Sequence, residues 1–301
     1  MNIFITGSSG FVGYHVLKKL IDKKHNLLIL QNKKGIDFNL EIEQRVIIGN
    51  LNDLTSIKYD IKRFSPDICM HFAWEGIPDY SENVSKINLD NSIELSDFLV
   101  NEANCKKIIV SGSCFEYGQT FGACNEEQQL SVNSFFSWAK NSLYNYLALL
   151  CKNKGVRLFW GRIFYVYGPR QRKGTLIQTI VDSLMKRQTP QINRPLNAND
   201  FVYVGDIAEA FCMAAEADIP SGAYNLGSGK STEVNRICQI IEKELFGNTS
   251  MTDKNISKSN SKQELNFWAD TSKTKKYLKW FAQTDIQKGI ERYLKEEGVI
   301  N

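Results

Sequence analysis

The first residues of the chain that could do chemistry form a glycine loop. The segment Gly7-Ser8-Ser9-Gly10-Phe11-Val12-Gly13 follows a short apolar run, Asn2 to Ile5, and precedes apolar residues that recur at helical spacing. Glycines at these spacings permit a tight turn, let backbone N–H groups approach a pyrophosphate, and let a helix pack closely on a strand. In this strand–turn–helix context the loop predicts a dinucleotide-binding site.

The end of the second predicted strand indicates which dinucleotide is bound. NAD-binding sites of this kind place an acid there to hydrogen-bond the ribose 2′-hydroxyl, but this chain has Gln31, followed by Asn32, Lys33 and Lys34. A carboxylate would repel a 2′-phosphate, whereas an amide and ammonium groups can hold it. We therefore predict NADP(H), with Asn32 and Lys33 as contacts. The alternative is that the two lysines belong to a solvated loop.

Composition argues against several classes of protein. A chain of 301 residues with 43% hydrophobic content can bury a large core without disulfides. We expect no signal peptide, because no basic segment and long apolar run precede the glycine loop, and no membrane span. Seven scattered cysteines without a CxxC pair argue against a disulfide framework and a metal site, and favour the cytoplasm. A net charge of +4 with dispersed lysines does not favour nucleic acid as a partner.

The first half of the chain alternates short β-rich runs with amphipathic stretches. This alternation predicts βαβ units and a parallel sheet, so the expected fold class is α/β, a doubly wound Rossmann sheet with a smaller C-terminal α/β substrate domain. The expected strands are Asn2 to Ile5, Asn26 to Leu30, Arg45 to Ile48, Ile68 to Phe72, Lys107 to Val110 and Arg157 to Phe164.

The second half of the chain is less regular. We expect a short strand at Phe201 to Val204, helices starting near Asp206, Thr232, Thr271 and Asp285, and a mobile loop at Thr252 to Lys262. The expected division assigns residues 1–166 plus 203–221 to the nucleotide-binding domain and 167–202 plus 222–301 to the substrate domain. Two long helical patterns, Glu82 to Glu102 and Phe136 to Lys152, carry surplus apolar residues and predict a homodimer.

Several motifs spread along the chain resemble one enzyme family. They are Pro66-Asp67-Ile68-Cys69-Met70-His71-Phe72-Ala73, Ser111-Gly112-Ser113-Cys114-Phe115-Glu116-Tyr117-Gly118, Tyr167-Gly168-Pro169-Arg170-Gln171, Asp200-Phe201-Val202-Tyr203-Val204 and Tyr224-Asn225-Leu226-Gly227-Ser228-Gly229-Lys230. Together they are similar to the NAD-dependent epimerase/dehydratase family, the extended short-chain dehydrogenases. Within it, the chain most resembles bacterial reductases of 4-keto-6-deoxy nucleotide sugars, of the CDP-abequose synthase and dTDP-sugar type, which serve O-antigen and lipopolysaccharide synthesis.

The resemblance implies a catalytic trio. Ser113 occupies the position of the hydroxyl that holds the sugar oxygen, and Lys140 that of the lysine which lowers the pKa of a catalytic tyrosine. That tyrosine belongs four residues before the lysine, where this chain has Phe136. Loss of a positioned proton donor costs about 10² to 10⁴ in rate, so we expect low activity. Two explanations stay open: Phe136 replaces a native tyrosine, which we favour, or the chain uses another donor.

The resemblance also implies further contacts. The expected cofactor contacts beyond the glycine loop are Asn32, Lys33, Asn50, Leu51, Phe72, Ala73, Lys140 and Ile163. The expected contacts to a nucleotide-diphosphate sugar are Trp74, Glu75, Ser113, Cys114, Phe115, Tyr165, Arg170 and Arg194. Trp74 could instead pack beneath its loop, Cys114 could fill the core, and Arg194 could be a surface charge.

Alternative reactions of the family fit less well. A 4,6-dehydratase has an Asp-Glu pair where this chain has Cys114 and Phe115. A 4-epimerase recycles tightly held NAD, which Gln31 to Lys34 do not favour. Reduction of a 4-keto-6-deoxy nucleotide sugar by NADPH is the preferred interpretation. A nucleotide-sugar 4-epimerase and a catalytically silent NADP(H)-binding protein are the alternatives.

Overall fold

A computed structural model describes residues 1–32, 45–253 and 265–301 of the protein. Its strands are β1 (Asn2–Thr6), β2 (Asn26–Gln31), β3 (Arg45–Ile48), β4 (Ile68–His71), β5 (Lys107–Ser113), β6 (Gly122–Cys124), β7 (Arg157–Ile163), β8 (Tyr165–Tyr167), β9 (Ala198–Asn199), β10 (Phe201–Tyr203), β11 (Gly222–Leu226), β12 (Thr232–Glu233) and β13 (Asn266–Ala269). Its α-helices are α1 (Phe11–Asp22), α2 (Lys58–Phe64), α3 (Glu82–Asn101), α4 (Phe135–Lys154), α5 (Leu176–Met185), α6 (Val204–Glu216), α7 (Val234–Phe246), α8 (Ser272–Leu278) and α9 (Ile286–Glu296).

A seven-stranded parallel sheet forms the centre of the protein, in the order β3-β2-β1-β4-β5-β7-β11. Side chains on a strand alternate between its two faces, and both faces of this sheet are covered. On one face Ile3 and Ile5 pack with apolar residues of α1 and α6, and on the other Phe4 packs with those of α3 and α4. The predicted α/β class with a doubly wound parallel sheet is confirmed.

Local sequence signals fix the ends of the long helix α4. Ser134 accepts a hydrogen bond from the N–H of Ser137 (3.1 Å) at the start, and Gly155, with a φ of 67°, follows its end. The long helical patterns predicted for this region match α3 and α4 to within two residues. Within the described residues, none of the helices is long and apolar enough to cross a membrane.

Two smaller sheets lie outside the central one. Strands β8 and β10 pair with each other, and β12-β9-β13-β6 form a four-stranded sheet. The strand predicted from Arg157 to Phe164 corresponds to β7, which ends one residue earlier, at Ile163. Phe164 then connects β7 to β8, which belongs to a different sheet.

The expected two-domain division remains a prediction, with adjustments. Strand β11, which the expected division assigns to the substrate domain, pairs with β7 in the central sheet. Strand β6, from the N-terminal part, pairs with β13 in the four-stranded sheet. The predicted loop at Thr252 to Lys262 lies outside the described residues from position 254 onward. Thr252 itself is buried and donates its hydroxyl to Glu242 (2.7 Å).

Candidate active site

Two adjoining cavities open at the carboxyl ends of the central strands, where α/β sheets bind their ligands. The smaller cavity, of about 160 Å³, lies beside β2 and is lined by residues that include Leu30, Asn32, Asn50, Leu51 and Glu75. The larger, of about 580 Å³, is lined by residues from β5, β7, α4 and the segment before α5. The glycine loop and Trp74 line both cavities, so one extended ligand could occupy the two.

The glycine loop has the shape that a pyrophosphate needs. Gly7 has a φ of 71°, and a Cβ there would overlap the backbone of Phe72 and Ala73. A Cβ on Gly13 would overlap the backbone of Gly7, so α1 packs against the loop only because this position lacks a side chain. No side chain caps the N-terminus of α1, and its first turn is open to an anion. These features fit the predicted dinucleotide.

The end of β2 carries no carboxylate beside the smaller cavity. Gln31 is buried, whereas Asn32 is exposed and lines this cavity. Asn50 and Leu51 line it from the start of a 3-10 helix, Leu51–Ser56, for which the Asn50 side chain forms the N-cap. Lys33 and Lys34 lie outside the described residues, so their contact with a 2′-phosphate stays a prediction.

The three residues of the predicted catalytic trio all line the larger cavity. Ser113 ends β5, and its hydroxyl oxygen accepts a hydrogen bond from the N–H of Phe115 (3.2 Å). Phe136 and Lys140 follow on one face of α4, because residues four apart on a helix are neighbours. Position 136 carries a phenyl ring that is 6% exposed.

Lys140 is a buried cation held by a carbonyl and an aromatic face. Its Nζ donates to the carbonyl oxygen of Ser111 (2.9 Å) and lies 3.9 Å from the centroid of the Trp74 ring. The side chain is 4% exposed, and burial lowers the pKa of Lys140 to about 7, although the Glu116 carboxylate acts in the opposite direction. Lys140 can therefore gain or lose a proton near neutral pH.

Aromatic rings form one wall of the larger cavity around Phe136. The ring centroid of Phe136 lies 5.0 Å from Tyr80, 5.5 Å from Trp74 and 6.3 Å from Phe115. Sequence reasoning did not single out Tyr80, which belongs to the loop between β4 and α3. The sequence could have indicated Tyr80, because it follows β4 and the loops after parallel strands converge on one edge of the sheet.

The buried carboxylate of Glu116 stabilises the turn that follows Ser113 through a network of hydrogen bonds. The Glu116 carboxylate accepts hydrogen bonds from the N–H of Ser113 (2.7 Å), Nε1 of Trp160 (3.0 Å) and Nε of Arg162 (2.8 Å). Arg162 is 1% exposed and also donates to the Tyr117 hydroxyl (3.2 Å). The pairing of Glu116 with Arg162 was not predicted from the sequence, although an arginine within the apolar strand β7 could have indicated it.

The structure brings some predicted substrate contacts to the cavities and leaves others away from them. Trp74, Phe115 and Arg170 line the larger cavity, and Glu75 lines the smaller one. Arg170 is exposed, with its guanidinium 3.9 Å from the centroid of the Tyr14 ring.

Three predicted contacts are not cavity-lining residues. Cys114 is 4% exposed in an apolar cluster, and burial raises the pKa of its thiol well above the usual value, as expected of a core filler. Tyr165 packs against Phe115, with ring centroids 6.1 Å apart, and lines neither cavity. Arg194 is exposed and also lines neither cavity. Among the described residues, no cluster of His, Cys, Asp or Glu side chains could hold a metal ion.

The fold and the site define a class: a glycine-loop α/β protein in which a serine and a helix-borne lysine line one cavity with the loop. The chain belongs to the NAD dependent epimerase/dehydratase family, whose model matches residues 3–227. It is 27% identical to a provisionally named UDP-glucose 4-epimerase of Methanocaldococcus jannaschii, over 96% of both chains. It is 22% identical to the CDP-abequose synthase of Salmonella muenchen, over 97% of this chain and 96% of the relative.

Solved structures share the fold over the whole chain. The UDP-glucose 4-epimerase of Thermotoga maritima, solved with UDP-glucose, superimposes with a TM-score of 0.83 at 22% identity and covers all of both chains. At this identity the likeness concerns the fold.

Proposed function

We propose that this protein uses NADPH to reduce the C4 keto group of a 4-keto-6-deoxy sugar linked to a nucleoside diphosphate. The observation that carries the proposal is that Ser113 and Lys140 line one cavity with the glycine loop. The likeness to CDP-abequose synthase and to the dTDP-4-dehydro-6-deoxyglucose reductase of Escherichia coli, at 25% identity over 81% of both chains, supports reduction.

The cofactor would lie along the two cavities. The loop from Gly7 to Gly13 would hold the pyrophosphate, Asn32 and Lys33 the 2′-phosphate, and Asn50 with Leu51 the adenosine end. Phe72, Ala73 and Ile163 would border the nicotinamide end. Bound NADPH would supply the hydride. The absence of an acid at the end of β2 supports NADP(H) over NAD(H).

The sugar would lie in the larger cavity against the aromatic wall. The Ser113 hydroxyl already accepts the Phe115 N–H and can donate its own proton to the keto oxygen. The Lys140 ammonium would stabilise negative charge developing on that oxygen. Trp74 and Phe115 would contact the sugar, and Arg170 the diphosphate. With Phe136 in place of a tyrosine, we expect turnover to be slow.

Two other functions have specific observations in their favour. The names of the Methanocaldococcus and Thermotoga proteins favour a nucleotide-sugar 4-epimerase. The phenyl ring at position 136 favours a catalytically silent NADP(H)-binding protein.

A direct assay separates these functions. Purified protein would be incubated with NADPH and CDP-, dTDP-, UDP- or GDP-linked 4-keto-6-deoxy sugars, and NADPH absorbance and sugar products would be followed. Reduction of one keto sugar, with equal consumption of NADPH, is expected. In a parallel incubation with UDP-glucose, its interconversion with UDP-galactose without net consumption of cofactor would replace the proposal with an epimerase.

A further inference from the structure

The proposed reduction requires a proton donor that Phe136 cannot be. Adding a hydride to the carbonyl carbon leaves the electron pair of the C=O π bond on oxygen, which must then bind a proton. A phenyl ring has no exchangeable proton. The proton must therefore come from another group, either a second side chain of the larger cavity or water.

Tyr80 meets this requirement. Among the described residues that line the larger cavity, it carries the one phenol. Its ring is half-buried, with its centroid 5.0 Å from that of Phe136 and 6.3 Å from that of Phe115. Its hydroxyl makes no hydrogen bond within the described part of the chain, so it is not committed to the fold.

Neighbouring groups are less suitable as the donor. Lys140 Nζ is hydrogen-bonded to Ser111 and lies closer to Trp74 (3.9 Å) than to Phe136 (5.9 Å). The Tyr117 hydroxyl is buried and donates to Asn225 (2.7 Å). Ser113 can hold the keto oxygen, but an aliphatic hydroxyl is a much weaker acid than a phenol.

We propose that Tyr80 is the catalytic acid of this chain, donating its phenolic proton to the sugar C4 oxygen from the loop before α3, where its ring packs against Phe136. This inference rests on the proposed reductase function. In the step, a C–H bond of the reduced nicotinamide, the O–H bond of Tyr80 and the C=O π bond would break, while a C–H bond and an O–H bond form on the sugar. The reduced nicotinamide is oxidised, the keto sugar is reduced to the alcohol, and the Tyr80 phenolate regains its proton from water.

A double-mutant cycle between positions 80 and 136 tests the proposal. In the native chain, Tyr80→Phe should lower kcat for NADPH-dependent reduction by at least about tenfold with little change in KM, because only the proton is lost. In the Phe136→Tyr background the new phenol supplies the proton, and Tyr80→Phe should change kcat by less than about twofold. Such non-additivity is expected of two donors that serve one atom.

The controls separate loss of the proton from loss of the fold. Tyr59→Phe removes a phenol that is 73% exposed on α2 and should leave kcat unchanged. Thermal unfolding and NADPH titration of each variant should match the native chain.

Four results would overturn the assignment of Tyr80. If the native chain and Phe136→Tyr are active but Tyr80→Phe changes neither, or if only Phe136→Tyr is active, the Tyr80 assignment fails and the reductase function stands. If neither protein reduces any keto sugar, both proposals fail together. An equal loss of kcat in both backgrounds would assign Tyr80 to binding or structure rather than proton donation.

Discussion

The Nζ of Lys140 lies 3.9 Å from the centroid of the Trp74 ring, on a buried side chain without an ion pair among the described residues. A cation over an indole face is stabilised by the ring quadrupole, and the Ser111 carbonyl adds a hydrogen bond (2.9 Å). These contacts stabilise the charged ammonium group less than water would. Burial therefore lowers the pKa of Lys140 to about 7.

Replacement of Lys140 by methionine should change how stability depends on pH. The pKa of Lys140 is about 7 in the folded chain against 10.5 ordinarily, so between these values the unfolded state binds more protons and folding stability rises with pH. The difference in free energy of unfolding between the native chain and Lys140→Met should therefore change by up to about 1.4 kcal/mol per pH unit from pH 7 to 9. Urea unfolding at several pH values would measure it. A constant difference across this window would contradict the assigned pKa.

Removal of Glu116 should destabilise the protein strongly. Glu116→Leu leaves the Arg162 guanidinium buried without its carboxylate, which typically costs about 3–5 kcal/mol. Glu116→Gln keeps an acceptor for the Ser113 N–H and should cost less. Urea unfolding gives the values, with Glu82→Gln as a control, since its pair with Lys86 is exposed. A loss below about 1 kcal/mol for Glu116→Leu would refute this role.

The protein should bind NADP(H) at least tenfold more tightly than NAD(H), a difference of about 1.4 kcal/mol. We expect this because Lys33 and Lys34 follow β2 in the sequence where an acid would favour NAD(H), and an ammonium group can hold a 2′-phosphate. Calorimetric titration with both cofactors would measure the preference, and Lys33→Ala with Lys34→Ala should remove it. The matched control is Lys152→Ala with Lys154→Ala, exposed lysines at the end of α4. Equal affinities in the native chain would contradict the assignment.

The protein should form a homodimer through α3 and α4. Ile87 on α3 and Leu149 on α4 are apolar side chains that are 42% and 65% exposed on two helices that pack together, where a second copy could cover both. Sedimentation at micromolar concentration should give twice 34.3 kDa. Leu149→Glu should shift the protein toward monomer, whereas Met185→Glu on α5, 52% exposed, should not. A native chain that sediments as a monomer would exclude the dimer.

Features encoded within short segments could be predicted from the sequence. The glycine loop and the start of α1 are contiguous, and Phe136 and Lys140 share a helix face through their spacing. Contacts between distant segments could not be predicted. The approach of Tyr80 to Phe136 depends on the path of the loop after β4, and the pairing of Glu116 with Arg162 depends on the neighbouring positions of β5 and β7.

Cys114 shows how local geometry overrides a motif. It follows Ser113 directly, and a substrate contact at both positions was a reasonable expectation. The chain enters a 3-10 helix at Cys114, whose side chain packs in the core while Ser113 and Phe115 line the cavity.

The central claim is that the site is a reductase that lacks its usual phenol, and restoring that phenol tests it most directly. NADPH oxidation would be measured on the panel of CDP-, dTDP-, UDP- and GDP-linked 4-keto-6-deoxy sugars for the native chain and for Phe136→Tyr. We expect Phe136→Tyr to raise kcat by at least about a hundredfold for one sugar with little change in substrate affinity, and Lys140→Ala in that background to abolish most of the gain. No gain on any keto sugar, by a Phe136→Tyr protein that still binds NADPH, would contradict the account.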